Sequence, residues 1–306
     1  MWPNRRSLAD RIGDALRAHS ARKRPLPGAA TQERKSTLAW QMVASLRRLD
    51  YTRALKKRPI DPARADPNSD LFDPERAAIL HFRNRDIDEA FWVTFLSMHF
   101  GQHGRHGWRR LRDVYSGLGQ RTWTWRVYSA DPNAFTVWLT GNHTRIGGGF
   151  GNHRKYASLR TDSKQGTDKV FAAYLDWVGP DRSHQQLVAR LVQAGGNDPS
   201  SIFDHFYRDM NVRQFGRLGK FDFLALIGRL ELAPIAPGSA YLDGATGPLQ
   251  GARLLFGNDR KAALSVRDLD AWLIDLDEDL KIGMQAMEDS LCNWQKSPAK
   301  FIHFTG

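Results

Sequence analysis

The sequence has a single cysteine, Cys292, which excludes an intrachain disulfide and a zinc site built from several cysteines. No apolar run approaches the ~20 residues that a membrane helix requires. Asp10 and Asp14 interrupt the N-terminal segment, so no secretory signal is expected. We therefore expect no membrane association and a reducing, cytoplasmic location.

Two further sequence signals are incomplete. The glycine-rich run 147–151 lacks the Lys-Ser/Thr ending of a nucleotide-binding loop, so ATP binding is not predicted. His99, His103 and His106 have no acid or cysteine at a zinc-ligand spacing. The sequence therefore predicts no metal site.

Acidic residues are too few to balance the basic ones, and the net charge is +12. Residues 1–70 contain 16 Lys/Arg against 7 Asp/Glu, so most of this excess lies in the N-terminal segment. Such a charge favours a polyanionic partner, with nucleic acid as the leading candidate. A basic N-terminal arm that follows DNA and a solubilising tail both remain open.

The hydrophobic periodicity predicts an all-α protein. Asp-Pro pairs at residues 73–74, 131–132 and 198–199 are typical of helix starts. No segment shows the alternation of a half-buried strand. We predict a basic arm over residues 1–70 with two helices and linkers, and a helical catalytic domain over residues 71–306. Its last helix is predicted to run over 265–296.

The final segment carries the densest group of polar side chains. Asp289, Asn293 and Lys296 lie at positions i, i+4 and i+7 of the predicted helix, so they share one face. Glu288 and Cys292 share the adjacent face. A carboxylate in such a group can accept a proton.

Two other segments are rich in cations. His153, Arg154 and Lys155 follow the glycine run, and Arg217 and Lys220 are one helical turn apart, with Asp222 nearby to orient them. These groups could hold a phosphate. A basic surface loop and a local ion pair are the structural alternatives.

Residues 242–255 contain a glycine turn followed by a helix start. Backbone N–H groups at Gly244 and Gly247 would suit a phosphate, and Arg253 follows on the helix. The element resembles the helix-hairpin-helix motif of base-excision glycosylases, although two residues separate its glycines. An ordinary corner between two helices is the alternative.

Five segments together resemble the alpha-glutamyl/putrescinyl-thymine pyrophosphorylases of clade 3. The resemblance extends over about residues 75–306 and is carried by residues 104–115, 150–156, 215–222, 247–256 and 288–298. It implies a helical fold related to the helix-hairpin-helix DNA glycosylases. The implied activity displaces pyrophosphate from a pyrophosphorylated hydroxymethyluracil in DNA by an amine or amino acid.

The resemblance also suggests roles for the polar residues. The leaving pyrophosphate would be held by five cations: His153, Arg154, Lys155, Arg217 and Lys220. The base would be Asp289 or, as second choice, Glu288, with Lys220 and Asp222 also in the catalytic group. Substrate binding would involve Asn152, Tyr156, Asn293, Trp294 and Lys296, with Tyr156 or Trp294 stacking on a flipped base. The implied partners are double-stranded DNA with a modified pyrimidine and an amino acid or polyamine. Mg²⁺ accompanying pyrophosphate is the one cofactor left open.

Two alternative functions remain. A glycosylase or lyase would use Lys261 or Asp268, just beyond the hairpin-like element. A non-catalytic reader of modified DNA would use the same polar segments for recognition only.

Overall fold

The structure is a computed structural model that describes residues 1–304, and this part of the chain consists of helices and loops without a strand. The predicted all-α class is therefore confirmed. The α-helices, numbered α1–α14 in chain order, are Arg6–Arg22, Gln32–Leu55, Pro74–Arg83, Ile87–Phe100, Arg109–Tyr115, Trp125–Ala130, Pro132–Asn142, Thr167–Val178, His184–Gly195, Pro199–Asp209, Arg217–Arg229, Gly247–Gly257, Val266–Leu280 and Met284–Trp294. Short 3-10 helices cover Pro3–Arg5, Pro27–Ala29, Pro62–Arg64, Gly117–Gly119 and Asn152–Arg154.

The chain forms two compact units. Unit 1 contains residues 1–53 and 237–306, and unit 2 contains residues 54–236. The predicted division at residue 70 differs from these bounds. Residues 1–53 of the predicted basic arm belong to unit 1, where α1 lies against α13 and Lys23 forms ion pairs with Asp275 and Asp279. Residues 54–70 belong to unit 2.

The predicted Asp-Pro helix starts are confirmed. The side chains of Asp73, Asp131 and Asp198 each accept a hydrogen bond from the backbone N–H three residues later, at 3.0, 2.9 and 2.9 Å. Each bond satisfies a donor that the first turn of a helix leaves unpaired. These caps fix the beginnings of α3, α7 and α10.

Unit 2 has an aromatic core around α4, which is apolar on nearly every face and therefore central. Trp92 has no exposed surface, stacks on Tyr128 with ring centroids 5.0 Å apart, and donates Nε1–H to the Trp123 carbonyl at 2.8 Å. Phe95 stacks on Tyr174 at 3.7 Å. Stacked aromatic rings thus form the centre of the core of this unit.

The predicted single helix over 265–296 is wrong, because it divides between α13 and α14. Lys281 adopts a left-handed conformation and Gly283 has φ 82°. The Asp277 carboxylate accepts hydrogen bonds from the backbone N–H groups of Ile282 and Gly283, at 2.8 and 3.0 Å. A side chain that binds these N–H groups competes with the helix for them and ends it.

Candidate active site

A row of three polar side chains runs along α14 and just beyond it. Asn293 donates Nδ2–H to Oδ1 of Asp289 at 3.0 Å, and Lys296 donates Nζ–H to Oδ1 of Asn293 at 3.0 Å. The predicted spacing thus brings these side chains together, and we call Asp289, Asn293 and Lys296 the polar row. It belongs to unit 1.

Arg48 of α2 extends the polar row and was not predicted. Its guanidinium forms an ion pair with the carboxylate of Asp289 and donates to Ser45 Oγ at 3.3 Å and to the Phe304 carbonyl at 3.4 Å. The side chains of Arg48 and Asp289 are 37% and 35% exposed, so solvent and a ligand can reach the pair. Arg48 and Asp289 are far apart in the sequence, and no local sequence pattern could predict that they form a pair.

Glu288 and Trp294 point into the core of unit 1 instead. Glu288 is 6% exposed and Trp294 is fully buried, with its Nε1–H donated to the Pro298 carbonyl at 3.2 Å. A base cannot stack on Trp294 unless this core opens. Asp289 is therefore the more accessible of the two predicted carboxylates, and Trp294 is a packing residue in this structure.

The hairpin-like element has a helix on one side only. Gly244 lies in an exposed turn with φ 70°, and α12 follows from Gly247, but residues 230–246 contain no helix. A Cβ atom at Gly247 would lie 2.5 Å from Sγ of Cys292, so this glycine allows α12 to approach α14. Arg253 is half-buried on α12. The close packing of α12 against α14 therefore explains a glycine at position 247 without a bound phosphate.

The glycine-rich loop of unit 2 is held in place by its neighbours. Arg110 donates to the Gly147 and Gly148 carbonyls at 3.3 and 2.8 Å, and the Gly151 N–H donates to the Phe100 carbonyl at 2.8 Å. The loop leads into the 3-10 helix Asn152–Arg154, which carries His153 and Arg154, and Lys155 follows directly. A side chain of α5 and the last residue of α4 thus bind the backbone of this loop.

Most side chains after this loop are exposed. Asn152, His153 and Lys155 are exposed, and Tyr156 is 70% exposed with the Lys155 ammonium 5.3 Å from its ring centroid. An aromatic ring with this exposure beside cations is a suitable surface for a nucleotide base.

Arg154 turns inward, unlike its neighbours. Its Nε–H donates to the Met98 carbonyl at 2.5 Å, and its guanidinium lies 5.6 Å from the ring centroid of Phe215. Burial lowers the pKa of Arg154, while the nearby Asp222 carboxylate opposes this change. Arg154 thus pairs with the negative end of α4 and joins the loop to the segment around Phe215.

The first turns of α11 hold the other predicted cations. The Lys220 ammonium donates to the Tyr207 carbonyl at 3.3 Å, and burial lowers its pKa. The Arg217 guanidinium lies 4.8 Å from the ring centroid of Phe221. Two of the predicted segments, 150–156 and 215–222, therefore meet in unit 2.

The whole-sequence comparison matches a family described as alpha-glutamyl/putrescinyl thymine pyrophosphorylase clade 3, over residues 33–306. This chain belongs to that family. Comparisons with curated proteins and with solved structures gave no match. The family name implies a thymine pyrophosphorylase-type modification enzyme.

The match to the pyrophosphorylase family begins earlier than the resemblance at residue 75 indicated. Its 33–306 span includes α2, and with it Arg48, the partner of Asp289. Both units contribute to the matched region, while α1 lies outside it. Both Arg48 and Asp289 therefore lie within the region that matches the family.

The predicted residues of this pyrophosphorylase-family chain fall into two sets. Unit 1 holds Gly244, Gly247, Arg253, Glu288, Asp289, Asn293, Trp294 and Lys296, and unit 2 holds Asn152, His153, Arg154, Lys155, Tyr156, Arg217, Lys220 and Asp222.

No group of three potential metal-ligating side chains occurs among residues 1–304, and no helix in that range is long and apolar enough to cross a bilayer.

Proposed function

We propose that the protein replaces the pyrophosphate of a 5-(pyrophosphoryloxymethyl)uracil in DNA with an amine or amino acid. The observation that carries this proposal is the family match over residues 33–306. In the reaction, the bond from the exocyclic methylene carbon to a pyrophosphate oxygen breaks, and a carbon–nitrogen bond forms. Pyrophosphate leaves with the electron pair, and the nitrogen loses a proton to a base.

The polar row supports the proton-transfer part of this reaction. A positioned carboxylate can accept the proton of the incoming amine, and we assign this role to Asp289. The ion pair with Arg48 and the hydrogen bond from Asn293 hold its carboxylate in one orientation. We assign Asn293 to the co-substrate and Lys296, at the end of the polar row, to substrate binding.

The exposed cations of unit 2 support recognition of the phosphorylated base. Cations beside an exposed aromatic ring attract the phosphates that flank a stacked base. We assign contacts with these DNA phosphates to the exposed His153 and Lys155, with the half-buried Arg154, Arg217 and Lys220 as supports.

The proposed DNA contact makes Tyr156 a stacking residue. We expect Tyr156→Ala to weaken binding of a single-stranded or mismatched oligonucleotide by about 1–3 kcal/mol, since stacking of a base on an aromatic ring is worth that much. Tyr156→Phe should bind as tightly as the unchanged protein, because it keeps the ring. Fluorescence anisotropy measures both affinities, and equal affinities for the alanine and phenylalanine variants would remove Tyr156 from the interface.

The reaction itself is tested by product mass. We expect the full-length protein, given DNA with pyrophosphorylated hydroxymethyluracil and a pool of amino acids and polyamines, to release pyrophosphate. Digested nucleosides should show the mass of one amine adduct. Abasic sites would instead indicate a glycosylase, and salt-sensitive binding without any product would indicate a reader of modified DNA.

A further inference from the structure

Unit 1 contains a cavity of about 250 Å³ beside the end of the polar row. One water molecule needs only ~10–15 Å³ on this measure, so the cavity has room for a multi-atom ligand. Its polar lining comes from the start of α2, the loop after α12 and the end of α14, and consists of Arg34, Asn258, Asp259, Arg260, Gln295 and Lys296. We call it the cationic cavity.

Three positive side chains line this cavity against one negative side chain. Arg34 donates to neutral acceptors, Oδ1 of Asn258 at 2.6 Å and the Gly28 carbonyl at 3.4 Å. Lys296 donates to the neutral Asn293 amide. Within residues 1–304, no ion pair engages Arg34, Arg260 or Lys296.

The single acid of the lining is partly used by its own turn. Oδ1 of Asp259 accepts a hydrogen bond from the backbone N–H of Lys261 at 3.0 Å. Elsewhere in unit 1 cations lie directly against acids, as Arg48 does with Asp289 and Arg5 does with Asp50. The lining of the cationic cavity therefore has three positive side chains against one negative side chain, and it is open to solvent at Asn258, Asp259, Arg260 and Lys296.

Such an arrangement favours an anionic ligand. Like charges around one small cavity repel each other, and an anion at its centre turns this repulsion into attraction. Guanidinium groups offer a planar fork of N–H donors that matches phosphate oxygens, and ammonium groups bind phosphate as point charges.

We propose that the cationic cavity binds a phosphate-type anion through Arg34, Arg260 and Lys296. The choice of pyrophosphate as the anion rests on the proposed function, whose leaving group it is. Lys296 belongs to both the cavity and the polar row, so the leaving anion and the carboxylate base would lie along one line of side chains. A phosphodiester of the DNA backbone is the other source of the same chemistry.

Calorimetric titration of the full-length protein with inorganic pyrophosphate tests the site. We expect Arg34→Gln and Arg260→Gln each to weaken pyrophosphate binding at least about tenfold, because a charged hydrogen bond is lost. Arg267→Gln is the matched control, since it removes one charge from an exposed position of α13 outside the cavity. Arg260 is also exposed, so its replacement does not disturb the core.

A second arm measures binding of unmodified duplex DNA by the same variants. Weaker pyrophosphate binding supports the leaving-group site, and weaker DNA binding with unchanged pyrophosphate binding supports a backbone-phosphate site. Unchanged binding of both anions by both variants would overturn the proposal. If the unchanged protein releases no pyrophosphate from DNA but the variants still lose pyrophosphate affinity, the proposed function fails while the anion site stands.

Discussion

Replacement of Asp289 by asparagine is expected to lower the rate of amine transfer at least about a hundredfold. General-base catalysis contributes typically about 10²- to 10⁴-fold, and asparagine cannot accept the proton. The substitution keeps the side-chain size and an oxygen that can accept the Asn293 hydrogen bond. Single-turnover measurements with pyrophosphorylated DNA would report the chemical step directly.

Asp50→Asn is the matched control for this experiment. Asp50 also lies in unit 1, forms ion pairs with Arg5 and Arg53, and is 36% exposed against 35% for Asp289. Both variants lose one ion-paired carboxylate, so the control shows how much of any loss comes from stability. Full transfer activity in Asp289→Asn would remove the base assignment, and an equal loss in both variants would attribute the effect to folding.

The second large effect concerns Glu89, a carboxyl buried in unit 2. Its oxygens accept hydrogen bonds from the Tyr115 hydroxyl and from the Trp125 backbone N–H, the latter at 2.7 Å. Burial raises the pKa of Glu89 to about 7, although both hydrogen bonds act in the opposite direction. The folded protein therefore holds this proton at pH values where the unfolded chain has released it.

This difference makes the stability of unit 2 depend on pH. A raised folded-state pKa gives a contribution that is fully present below the unfolded value of 4.5 and is lost as the pH rises to about 7. With about 1.4 kcal/mol per pKa unit, the free energy of unfolding should fall by about 3 kcal/mol across this window. Urea denaturation at pH 4.5 and pH 8 measures the change.

Glu89→Gln should remove this pH dependence, because the amide mimics the protonated acid. It can accept from the Trp125 N–H and donate to the Tyr115 oxygen. Tyr115→Phe should extend the loss of stability to higher pH, since the hydroxyl no longer stabilises the carboxylate. Parallel pH profiles for Glu89→Gln and the unchanged protein would contradict the prediction.

Local chemistry made the helices predictable. Asp73, Asp131 and Asp198 each precede a proline and satisfy a backbone donor of their own helix, so the signal and its partner lie within a few residues. The 3.6-residue period likewise placed Asp289, Asn293 and Lys296 on one face. The same period missed the end of α13, because the carboxylate of Asp277 ends the helix without interrupting the apolar pattern.

Accessibility was harder to infer than secondary structure. Arg154 and Lys155 are adjacent in a cation-rich run, yet Arg154 turns inward to the Met98 carbonyl while Lys155 is exposed. Trp294 and Tyr156 were equal candidates for stacking, and only Tyr156 has an exposed ring. Composition gives the type of side chain at a position, whereas neighbouring elements decide its direction.

The sequence by itself determined the all-α class, the starts of α3, α7 and α10, and the family, because these depend on caps, periodicity and patterns that lie along the chain. Only the tertiary structure decided that Arg48 meets Asp289 and that Arg34, Arg260 and Lys296 share one cavity. Arg34 and Arg48 lie more than two hundred positions from their partners near the C-terminus, and they meet them because the buried faces of α2, α12 and α14 belong to one core. Charge complementarity across such distances has no local signature, so it becomes visible only when the core brings the helices together.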